Sequence, residues 1–382
     1  VLRDNKIKTK VEIIRPFGEN FPEFLNIFKK IIKYLQIRML SILERLGFLS
    51  DYLIPFVYWK YFKLRKIVKT NDIIISTTGG ELGCVILGDM LKKNTGAKHY
   101  IHFHDPINYG IDLGSKKNKK FHVGRAEKQI ALMSNADLLI FTSKKHSEKV
   151  KNLKLNVNQI VQYLGFVSNR HYSHFNNLFN NNKKNIKMIS QKKKIINNLE
   201  VRLKKIKKIY PKSLLLFYGG SSSSSQDIEK FFEVIKTFSS KEINLIVFTK
   251  KKPLIEPDTK NIFFENYISP KQYLKLIKKY ADAGVVSLSG EYLTHCLPGK
   301  IFDFMKYRKF IIGYHLKKSE IENVLKKYKF GGMIYNNEST NKQRKKLKII
   351  YNKIINSKKG KLVNYKWSML KTNIKLIKKW KI

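Results

Sequence analysis

The residues best suited to chemistry lie between two short apolar runs, residues 284–288 and 310–313. Both runs have the length and flanking residues of buried parallel strands. The polar loop between them includes Pro298 and leads into a helical pattern that carries Lys300 and Asp303. A helix start and an ammonium directed at one point beyond the strand ends suit a phosphate group. The spacing therefore predicts an anion-binding place; an ordinary strand–loop–helix with solvated Lys and Asp is the alternative.

A second small-residue turn follows the apolar run 213–218. Gly219, Gly220 and Ser221 begin this turn and lead into a helical pattern, and glycine lets the backbone approach a ligand closely. The turn lacks the P-loop and dinucleotide fingerprints, so a plain Gly–Ser loop stays open as an alternative. Lys250 follows the next predicted strand and is a further candidate cation, with a solvated lysine as the default interpretation.

Polar residues also follow predicted buried strands in the first half of the chain. Gly79 and Gly80 follow one strand, and His104 and Asp105 follow the next, where open α/β sheets place their sites. Strand alternation puts His102 and His104 on the same side. We expect His104 and Asp105 to belong to a site, with Asp105 accepting a hydrogen bond from a hydroxyl; capping of a turn is the alternative.

A helical pattern after the Gly- and Lys-rich segment 108–123 carries Arg125 and Glu127. Both are candidates for a ligand-binding cleft, although an exposed pair on a helix is the default interpretation. Another buried strand, residues 136–143, follows this helix and ends in hydroxyl side chains.

The composition sets limits on the class of protein. The chain has 382 residues, of which 43% are hydrophobic, so it is long enough for two domains and is not wholly disordered. Its two cysteines, Cys84 and Cys296, form neither a disulfide framework nor a CxxC metal motif. No apolar run reaches the length of a membrane span and no signal peptide is evident, which predicts a soluble or peripheral protein on the cytoplasmic side.

The net charge of +49 has three possible explanations: binding to nucleic acid, binding to an anionic membrane surface, or a bias in composition. The excess is mostly Lys and accompanies abundant Asn, Ile, Phe and Tyr, the residues that A/T-rich codons supply. Arg is the better bidentate reader of phosphate, and no zinc-finger or other recognition motif is present, so no nucleic acid is expected as a partner. Weak attraction to anionic lipid is a by-product that this charge predicts.

Helical spacing runs from residue 21 to residue 68. The stripe Leu25, Phe28, Ile32, Leu35 and Met39 recurs at three- and four-residue steps, with lysines between. We expect this stripe to face the core. The alternative is a set of interfacial helices that lie on lipid headgroups.

Residues 281–305 resemble the nucleotide-sugar-binding motif of GT-B glycosyltransferases, especially the retaining group 1 (family four) enzymes. The resemblance implies that Lys300 faces the donor diphosphate and that Asp303 holds the donor ribose. Two departures stand out: Asp303 replaces the usual Glu, and the family's partner Glu falls on His295. Glu291 is the nearest acidic substitute.

The resemblance extends over most of the chain and assigns further residues by position. It implies catalytic roles for His104 and Asp105. It implies acceptor-side roles for Gly79, Gly80, Arg125 and Glu127. It implies donor binding by Gly219, Gly220, Ser221, Lys250, Ile268, Pro298, Lys300 and Asp303.

The implied fold is α/β, with two Rossmann-like α/β/α domains facing a cleft. We expect an N-terminal acceptor-side domain over 1–170, a Lys/Asn-rich linker over 171–212 and a nucleotide-sugar domain over 213–340. Helices over 341–382 should cross back to the first domain. The chain begins at Val1 without a Met, and by comparison with the resembled family we expect its first βα unit to be missing.

The implied activity is transfer of a sugar from a nucleotide-diphosphate sugar to a glycan or lipid-linked acceptor, as in the synthesis of cell-surface polysaccharide or glycolipid. The chain has no Asp-x-Asp motif, which favours a metal-independent reaction without a cofactor, and the family implies retention of anomeric configuration. Two alternatives stay open: an impaired relative that serves as a partner subunit, favoured by His295, and more remotely a basic nucleic-acid-binding protein. A peripheral contact with an anionic membrane is also expected.

Overall fold

The computed structural model describes residues 26–46, 51, 53–78, 82–104, 119–162, 186–220, 228–249, 260–328 and 330–356. The chain divides into two compact units. The first comprises residues 1–141 and 147–161, and the second comprises residues 142–146 and 162–382. Each unit contains one parallel sheet.

The first sheet has four parallel strands in the order β1-β2-β3-β4. These are β1 (Ile73–Thr78), β2 (Lys98–Phe103), β3 (Leu138–Phe141) and β4 (Asn158–Val161). The helices of this part of the chain are α1 (Asn26–Arg45), α2 (Ile54–Leu64), α3 (Gly83–Thr95), α4 (Lys119–Ser134) and α5 (Lys144–Lys151).

The first unit buries apolar side chains in two clusters. One contains Ile101 and Phe103 of β2 with Phe141 of β3, and the Phe103 and Phe141 rings stack with centroids 5.2 Å apart. The other joins α1, α2 and α3, and its buried members are Leu40, Leu53, Phe56, Val57, Leu64, Leu87 and Leu91. All four residues of β3 are buried, which explains its continuous apolar sequence.

The orientation of α1 differs from the sequence expectation. Leu35 and Met39 are 59% and 57% exposed, whereas Leu40 is buried. The prediction that this stripe faces the core is therefore wrong for Leu35 and Met39. The helix is apolar on two faces, and the face with Leu40 and Leu43 is the one that packs against α2 and α3. The expectation for Leu25 lies outside the described residues, and the side chains of Phe28 and Ile32 are not described.

The second sheet has six parallel strands in the order β10-β9-β8-β5-β6-β7. They are β5 (Leu214–Gly219), β6 (Ile243–Thr249), β7 (Ile262–Asn266), β8 (Ala283–Ser287), β9 (Phe310–His315) and β10 (Gly331–Tyr335). The helices are α6 (Ile186–Ile209), α7 (Ile228–Lys236), α8 (Pro270–Tyr280), α9 (Lys300–Lys306), α10 (Glu320–Tyr328) and α11 (Thr340–Asn356), with a short 3₁₀ helix at Glu291–His295.

Tight packing fixes α9 on the second sheet. Gly284 of β8 lies directly under the ring of Phe304 in α9, and a Cβ added to Gly284 would lie 2.3 Å from three atoms of that ring. Ile301 is also fully buried. Because α9 has only seven residues, these contacts rather than helix propensity hold its position and that of Lys300 and Asp303.

Two segments expected to lie outside the second domain contribute to its core. Leu199, Leu203 and Ile206 of α6, within the predicted linker, are buried with residues of β5 and α8. Leu347 and Ile350 of α11 are buried in the second cluster of the same unit. Residues 357–382 lie outside the described part of the chain, and the crossing of 341–382 to the first domain stays a prediction. The prediction of two parallel-sheet α/β domains is confirmed.

Candidate functional site

The candidate site lies around the carboxyl end of β5 in the second unit. Tyr218 is almost fully buried there, and the Nζ atom of Lys300 lies 5.6 Å from the centroid of its ring. Burial lowers the pKa of Lys300, and the nearby charge of Asp303 opposes this change. A lysine over an aromatic face is attracted electrostatically by the ring. The arrangement holds a partly desolvated cation at the strand ends, which suits an anionic ligand.

Asp303 lies one turn after Lys300 on α9. Burial raises the pKa of Asp303 to about 6, and the positive charges of Lys306 and Lys300 act in the opposite direction. The carboxyl group therefore titrates close to neutral pH. Strongly shifted carboxyl groups occur preferentially at functional sites, although ion-pair networks also produce them.

Tyr273 of α8 completes the cluster from a third element. Burial raises the pKa of its phenol well above the usual range, and the negative charge of Asp303 adds to this effect. The phenol oxygen is buried and has no hydrogen-bond partner within the described chain. A buried polar atom without a partner is rare in native proteins and marks a place where a ligand or water can bind.

Gly219 makes room for the Tyr273 ring. A Cβ added to Gly219 would lie 2.7 Å from the Cζ atom and 2.8 Å from the phenol oxygen of Tyr273. The ring also contacts Phe248, with centroids 5.2 Å apart. Gly219 is thus explained by this close approach of a side chain to the backbone.

Gly220 contributes less than the sequence suggested. Its amide donates a 3.0 Å hydrogen bond to the carbonyl of Phe248 and so extends the pairing of β5 with β6. This amide is therefore used by the sheet, and a role for Gly220 in donor binding stays a prediction. Ser221 and Lys250, also predicted to bind the donor, lie outside the described residues.

The other donor-side predictions fall at the edges of this cluster. Ile268 is buried in the same apolar core as Tyr273. Pro298 is half-buried, and its carbonyl accepts a 3.1 Å hydrogen bond from the amide of Ile301 at the start of α9. Roles for both residues in ligand binding stay predictions.

The position of the family's partner carboxylate is occupied by a buried histidine, His295, at the end of the 3₁₀ helix. Glu291, the nearest acidic substitute, begins this helix and is exposed. His315, at the carboxyl end of β9, is fully buried beside the backbone of Leu288 and Leu293, and burial lowers its pKa to about 4. A buried imidazole, that of His295, therefore stands where the resembled family has a carboxylate.

In the first unit, the carboxyl ends of β1 and β2 lie side by side. The amide of His104 donates a 3.0 Å hydrogen bond to the carbonyl of Thr78, so the end of β2 adjoins the end of β1 just before Gly79. The rings of His102 and His104 lie 4.8 Å apart, which confirms that they share one side. Burial, and then the charge of His104, lower the pKa of His102 to about 4.

The remaining acceptor-side predictions are described only in part. Glu127 is exposed on α4. Arg125 lies in the same helix, and its side chain is not described. Gly79, Gly80 and Asp105 lie outside the described residues, so their roles stay predictions.

Sequence reasoning missed Tyr218 and Tyr273. A signal for Tyr218 was present, because it directly precedes the Gly219–Gly220 turn at a strand end. Tyr273 carries no comparable signal, since it lies on the buried face of an amphipathic helix where an aromatic residue usually fills the core.

Neither a metal-binding group nor a membrane-spanning helix is found among the described residues. Their His, Cys, Asp and Glu side chains include no group of three that could hold a metal ion. The helices within the described ranges also include none that is long and apolar enough to cross a membrane.

Known proteins resemble this chain in structure rather than in sequence. No protein-family model and no curated protein matches it. Sucrose-phosphate synthase from Thermosynechococcus elongatus matches with a TM-score of 0.58 and 11% identity, over 86% of this chain and 77% of that chain. A UDP-forming α,α-trehalose-phosphate synthase from Burkholderia xenovorans, in complex with glucose-6-phosphate, has a TM-score of 0.57 and 7% identity, over 87% and 79%.

A third structure, described as trehalose-6-phosphate from E. coli bound with UDP-2-fluoro glucose, has a TM-score of 0.53 and 11% identity. The match covers 85% of this chain and 75% of that chain. At such low identity these similarities establish the fold alone. The matching structures are GT-B glycosyltransferases, and the chain therefore has the GT-B fold.

Proposed function

We propose that the protein is a glycosyltransferase that moves a sugar from a nucleotide-diphosphate sugar to a glycan or lipid-linked acceptor. The observation that carries this proposal is the placement of Lys300 and Asp303, with Tyr218 and Tyr273, at the carboxyl end of a parallel sheet in a GT-B fold. Open α/β sheets bind ligands at this end of their strands. A structure with the same fold is described as bound to UDP-2-fluoro glucose, which supports this donor class.

The proposed donor site uses a cation, Lys300, and a carboxylate, Asp303, both carried by α9. Lys300 faces the diphosphate and stabilises the negative charge that develops as the nucleotide leaves, an effect strengthened by partial desolvation. Asp303, when ionised, accepts hydrogen bonds from the ribose hydroxyls. Gly219 leaves room for the Tyr273 ring, whose buried phenol oxygen has no partner within the described residues and is available to the ligand.

The other predicted residues keep their proposed roles. We assign the orientation of the acceptor or the transferred sugar to His104 and Asp105. The proposed donor side also includes Gly220, Ser221, Lys250, Ile268 and Pro298, with the amide of Gly220 excluded as a phosphate ligand by its bond to the sheet. The proposed acceptor side includes Gly79, Gly80, Arg125 and Glu127.

The reaction is proposed to be independent of metal and to retain the anomeric configuration. Support for the first point comes from the sequence, which has no Asp-x-Asp motif and supplies lysines as cations. Retention rests on the family resemblance alone. We place the activity in the synthesis of cell-surface polysaccharide or glycolipid, on the inner face of the membrane with peripheral contact to anionic lipid.

The test is a thermal-shift panel of uridine, guanosine, adenosine and cytidine diphosphates and their sugars. A ligand at 100 times its Kd stabilises the folded state by about 2.7 kcal/mol, so one base family should raise Tm by several degrees. Lys300→Ala should abolish this shift. Lys327→Ala removes the same charge from an exposed position on α10 and should leave it unchanged. A shift that persists in Lys300→Ala, or none with any nucleotide, would contradict the donor-site assignment.

A GT-B relative that binds nucleotide without transferring sugar is the second candidate. The buried His295 in place of a carboxylate favours it. This candidate predicts nucleotide stabilisation that depends on Lys300, but no release of nucleoside diphosphate from any donor sugar, with or without membrane or glycan acceptors. Detectable release of nucleoside diphosphate that fails in Lys300→Ala would reject it.

A further inference from the structure

The helix α1 exposes an apolar stripe to solvent. Its exposed members are Ile31, Tyr34, Leu35, Met39, Ile42 and, just past the helix end, Leu46. At 100° per residue these six positions fall within an arc of about 140°. Leu40, on the opposite side of the helix, is buried. An amphipathic helix normally turns its apolar face to the core. The outward stripe on α1 therefore indicates a surface that binds another molecule.

The helix α2 repeats this arrangement with aromatic residues. Tyr58, Trp59 and Phe62 are each more than half exposed, at 51%, 57% and 54%. Phe56 and Val57 are buried on the other side of the helix. Exposed aromatic residues at three- and four-residue spacing define one continuous stripe along α2.

Both stripes face away from the same core. The buried sides of α1 and α2 meet α3 in one apolar cluster, through Leu40 of α1, Val57 of α2 and Leu87 of α3. We call the exposed residues 31, 34, 35, 39, 42, 46, 58, 59 and 62 the α1–α2 surface. Single exposed apolar residues are ordinary on proteins, but exposed apolar stripes on two helices that share one core mark an interaction site.

Positive charge lies within both stripes. The guanidinium of Arg38 lies 5.2 Å from the centroid of the Tyr34 ring, and that of Arg65 lies 4.9 Å from the Phe62 ring. The ammonium of Lys60 lies 5.4 Å from the Trp59 ring. Lys63 of α2 and Lys66 of the turn after it are also exposed. The surface therefore alternates aromatic rings with cations.

The acidic residues of this region are turned inward. Across residues 31–46, 51 and 53–68, they are Glu44 and Asp51, and both are buried. The carboxylate of Asp51 accepts hydrogen bonds of 2.8 and 2.7 Å from the amides of Leu53 and Leu82. Within these described ranges, the charged residues that are not buried are therefore all cationic.

We propose that the α1–α2 surface binds the face of an anionic lipid bilayer. Helices with an apolar face, interfacial Trp and Tyr and flanking Lys and Arg lie in the headgroup region, with the rings at headgroup level and the cations on lipid phosphates. The charge favours anionic lipid over a second copy of the chain as the partner, because two chains of net charge +49 repel each other. The apolar stripe selects a bilayer over a free polyanion, which offers no apolar phase.

This assignment deepens the proposed function by naming the surface that meets the membrane. Its test uses lipid vesicles without donor or acceptor, so its failure is distinguishable from a failure of sugar transfer. The 382-residue chain is sedimented with phosphatidylcholine vesicles and with vesicles that also contain 30% phosphatidylglycerol. We expect binding to the anionic vesicles, weak binding to the neutral ones, and a decline as salt is raised.

Two variants and their matched controls locate the surface. Tyr58→Ser/Trp59→Ser/Phe62→Ser should reduce partitioning at least tenfold, whereas Val201→Ser/Tyr267→Ser/Ile349→Ser, which alters three exposed apolar residues of the second unit, should not. Lys63→Ser/Lys66→Ser should weaken binding about 25-fold, since each lysine near the surface contributes about fivefold. Lys204→Ser/Lys205→Ser, with the same charge change on exposed α6 positions, should bind like the parent.

Tryptophan fluorescence tests directly whether Trp59 enters the bilayer. With Trp367 and Trp380 replaced by Phe, Trp59 is the one tryptophan of the three that remains. Its emission should shift to shorter wavelength on anionic vesicles and become protected from an aqueous quencher. No shift, or equal binding by the triple aromatic variant with an unchanged melting profile, would overturn the proposal. A lipid-free dimer that the triple variant abolishes would also overturn it and assign the surface to a second copy.

Discussion

The ammonium of Lys300 lies over the ring of Tyr218, 5.6 Å from its centroid, although the two residues are far apart in the chain. Tyr218 is fixed by burial at the end of β5, and Lys300 is fixed by the packing of α9 on β8. Lys300 forms no ion pair with a described carboxylate; Asp303 acts on it through charge at longer range. The cation is thus held in position by a ring, which leaves its charge available to an anionic ligand.

Replacing Tyr218 with Leu should weaken binding of a nucleoside diphosphate about two- to fivefold. This is the loss expected when a cation–ring interaction of about 0.5–1 kcal/mol no longer holds Lys300. Tyr218→Phe keeps the ring and should bind within twofold of the parent. Isothermal titration calorimetry on both variants measures the difference. Equal affinity in the Leu and Phe variants would show that the ring does not position Lys300.

Gly219→Ala should destabilise the second unit and weaken nucleotide binding. The added Cβ would lie 2.7 Å from the Tyr273 ring, and overpacking of this kind costs about 1–3 kcal/mol. Gly299→Ala is the matched control in the neighbouring loop, because a Cβ at Gly299 meets nothing within 4 Å and its φ of −57° suits alanine. Thermal melting with and without nucleotide measures both effects. Equal melting temperatures for the two variants would contradict the close approach of Tyr273.

The strands of the second unit could be predicted because parallel strands buried on both faces read as continuous apolar runs. The apolar runs 284–288 and 310–313 correspond to β8 at Ala283–Ser287 and β9 at Phe310–His315. The helix that carries Lys300 and Asp303 follows from the Pro-Gly punctuation before it. Local pattern was sufficient here because each element is specified by its own residues.

The features that escaped prediction depend on contacts between distant segments. Tyr273 meets Gly219 only because α8 packs across the end of β5, and no local pattern records this. The amide of Gly220 is used by the sheet because β5 pairs with β6 up to its last residue. Leu35 and Met39 were assigned to the core because α1 has two apolar faces, and periodicity cannot tell which one is buried.

Acid should destabilise the protein through buried histidines, among them His99 and His315. Burial lowers the pKa of each to about 4, from a usual value near 6.5. Between these values the unfolded chain binds more protons than the folded one, so the free energy of unfolding falls as pH falls. The loss is on the order of 1 kcal/mol per histidine at pH 5.5.

Urea unfolding of the parent and of His315→Gln at several pH values measures this effect. The midpoint of the parent should decline from pH 7 to pH 5, and that of the variant should decline less steeply. Above pH 7 the two curves should run parallel, because neither state changes its protonation at this position there. An identical decline in both proteins would show that His315 can be protonated without unfolding.

The pH dependence of donor binding should reveal Asp303. Burial raises its pKa to about 6 from a usual 3.8, with Lys306 and Lys300 opposing the shift. The ionised form accepts hydrogen bonds from ribose, so affinity for a nucleotide-diphosphate sugar should fall as pH falls from 7 to 5. Asp303→Asn should bind more weakly at pH 7 and lack this decline. A sugar nucleotide is the right probe, because it lacks the terminal phosphate that titrates near pH 6.

The same residue gives an opposite trend in stability, which separates its role in folding from its role in binding. Because the folded-state pKa is raised, the folded chain binds more protons than the unfolded chain between pH 4 and 6, and the free energy of unfolding falls as pH rises through this window. Asp303→Asn removes this penalty, so without ligand its melting temperature relative to the parent should rise from pH 4 to pH 7. If Asp303→Asn binds the donor more weakly but is more stable than the parent at pH 7, Asp303 is a ligand-binding carboxylate whose burial destabilises the fold. Loss of both would assign it a purely structural role.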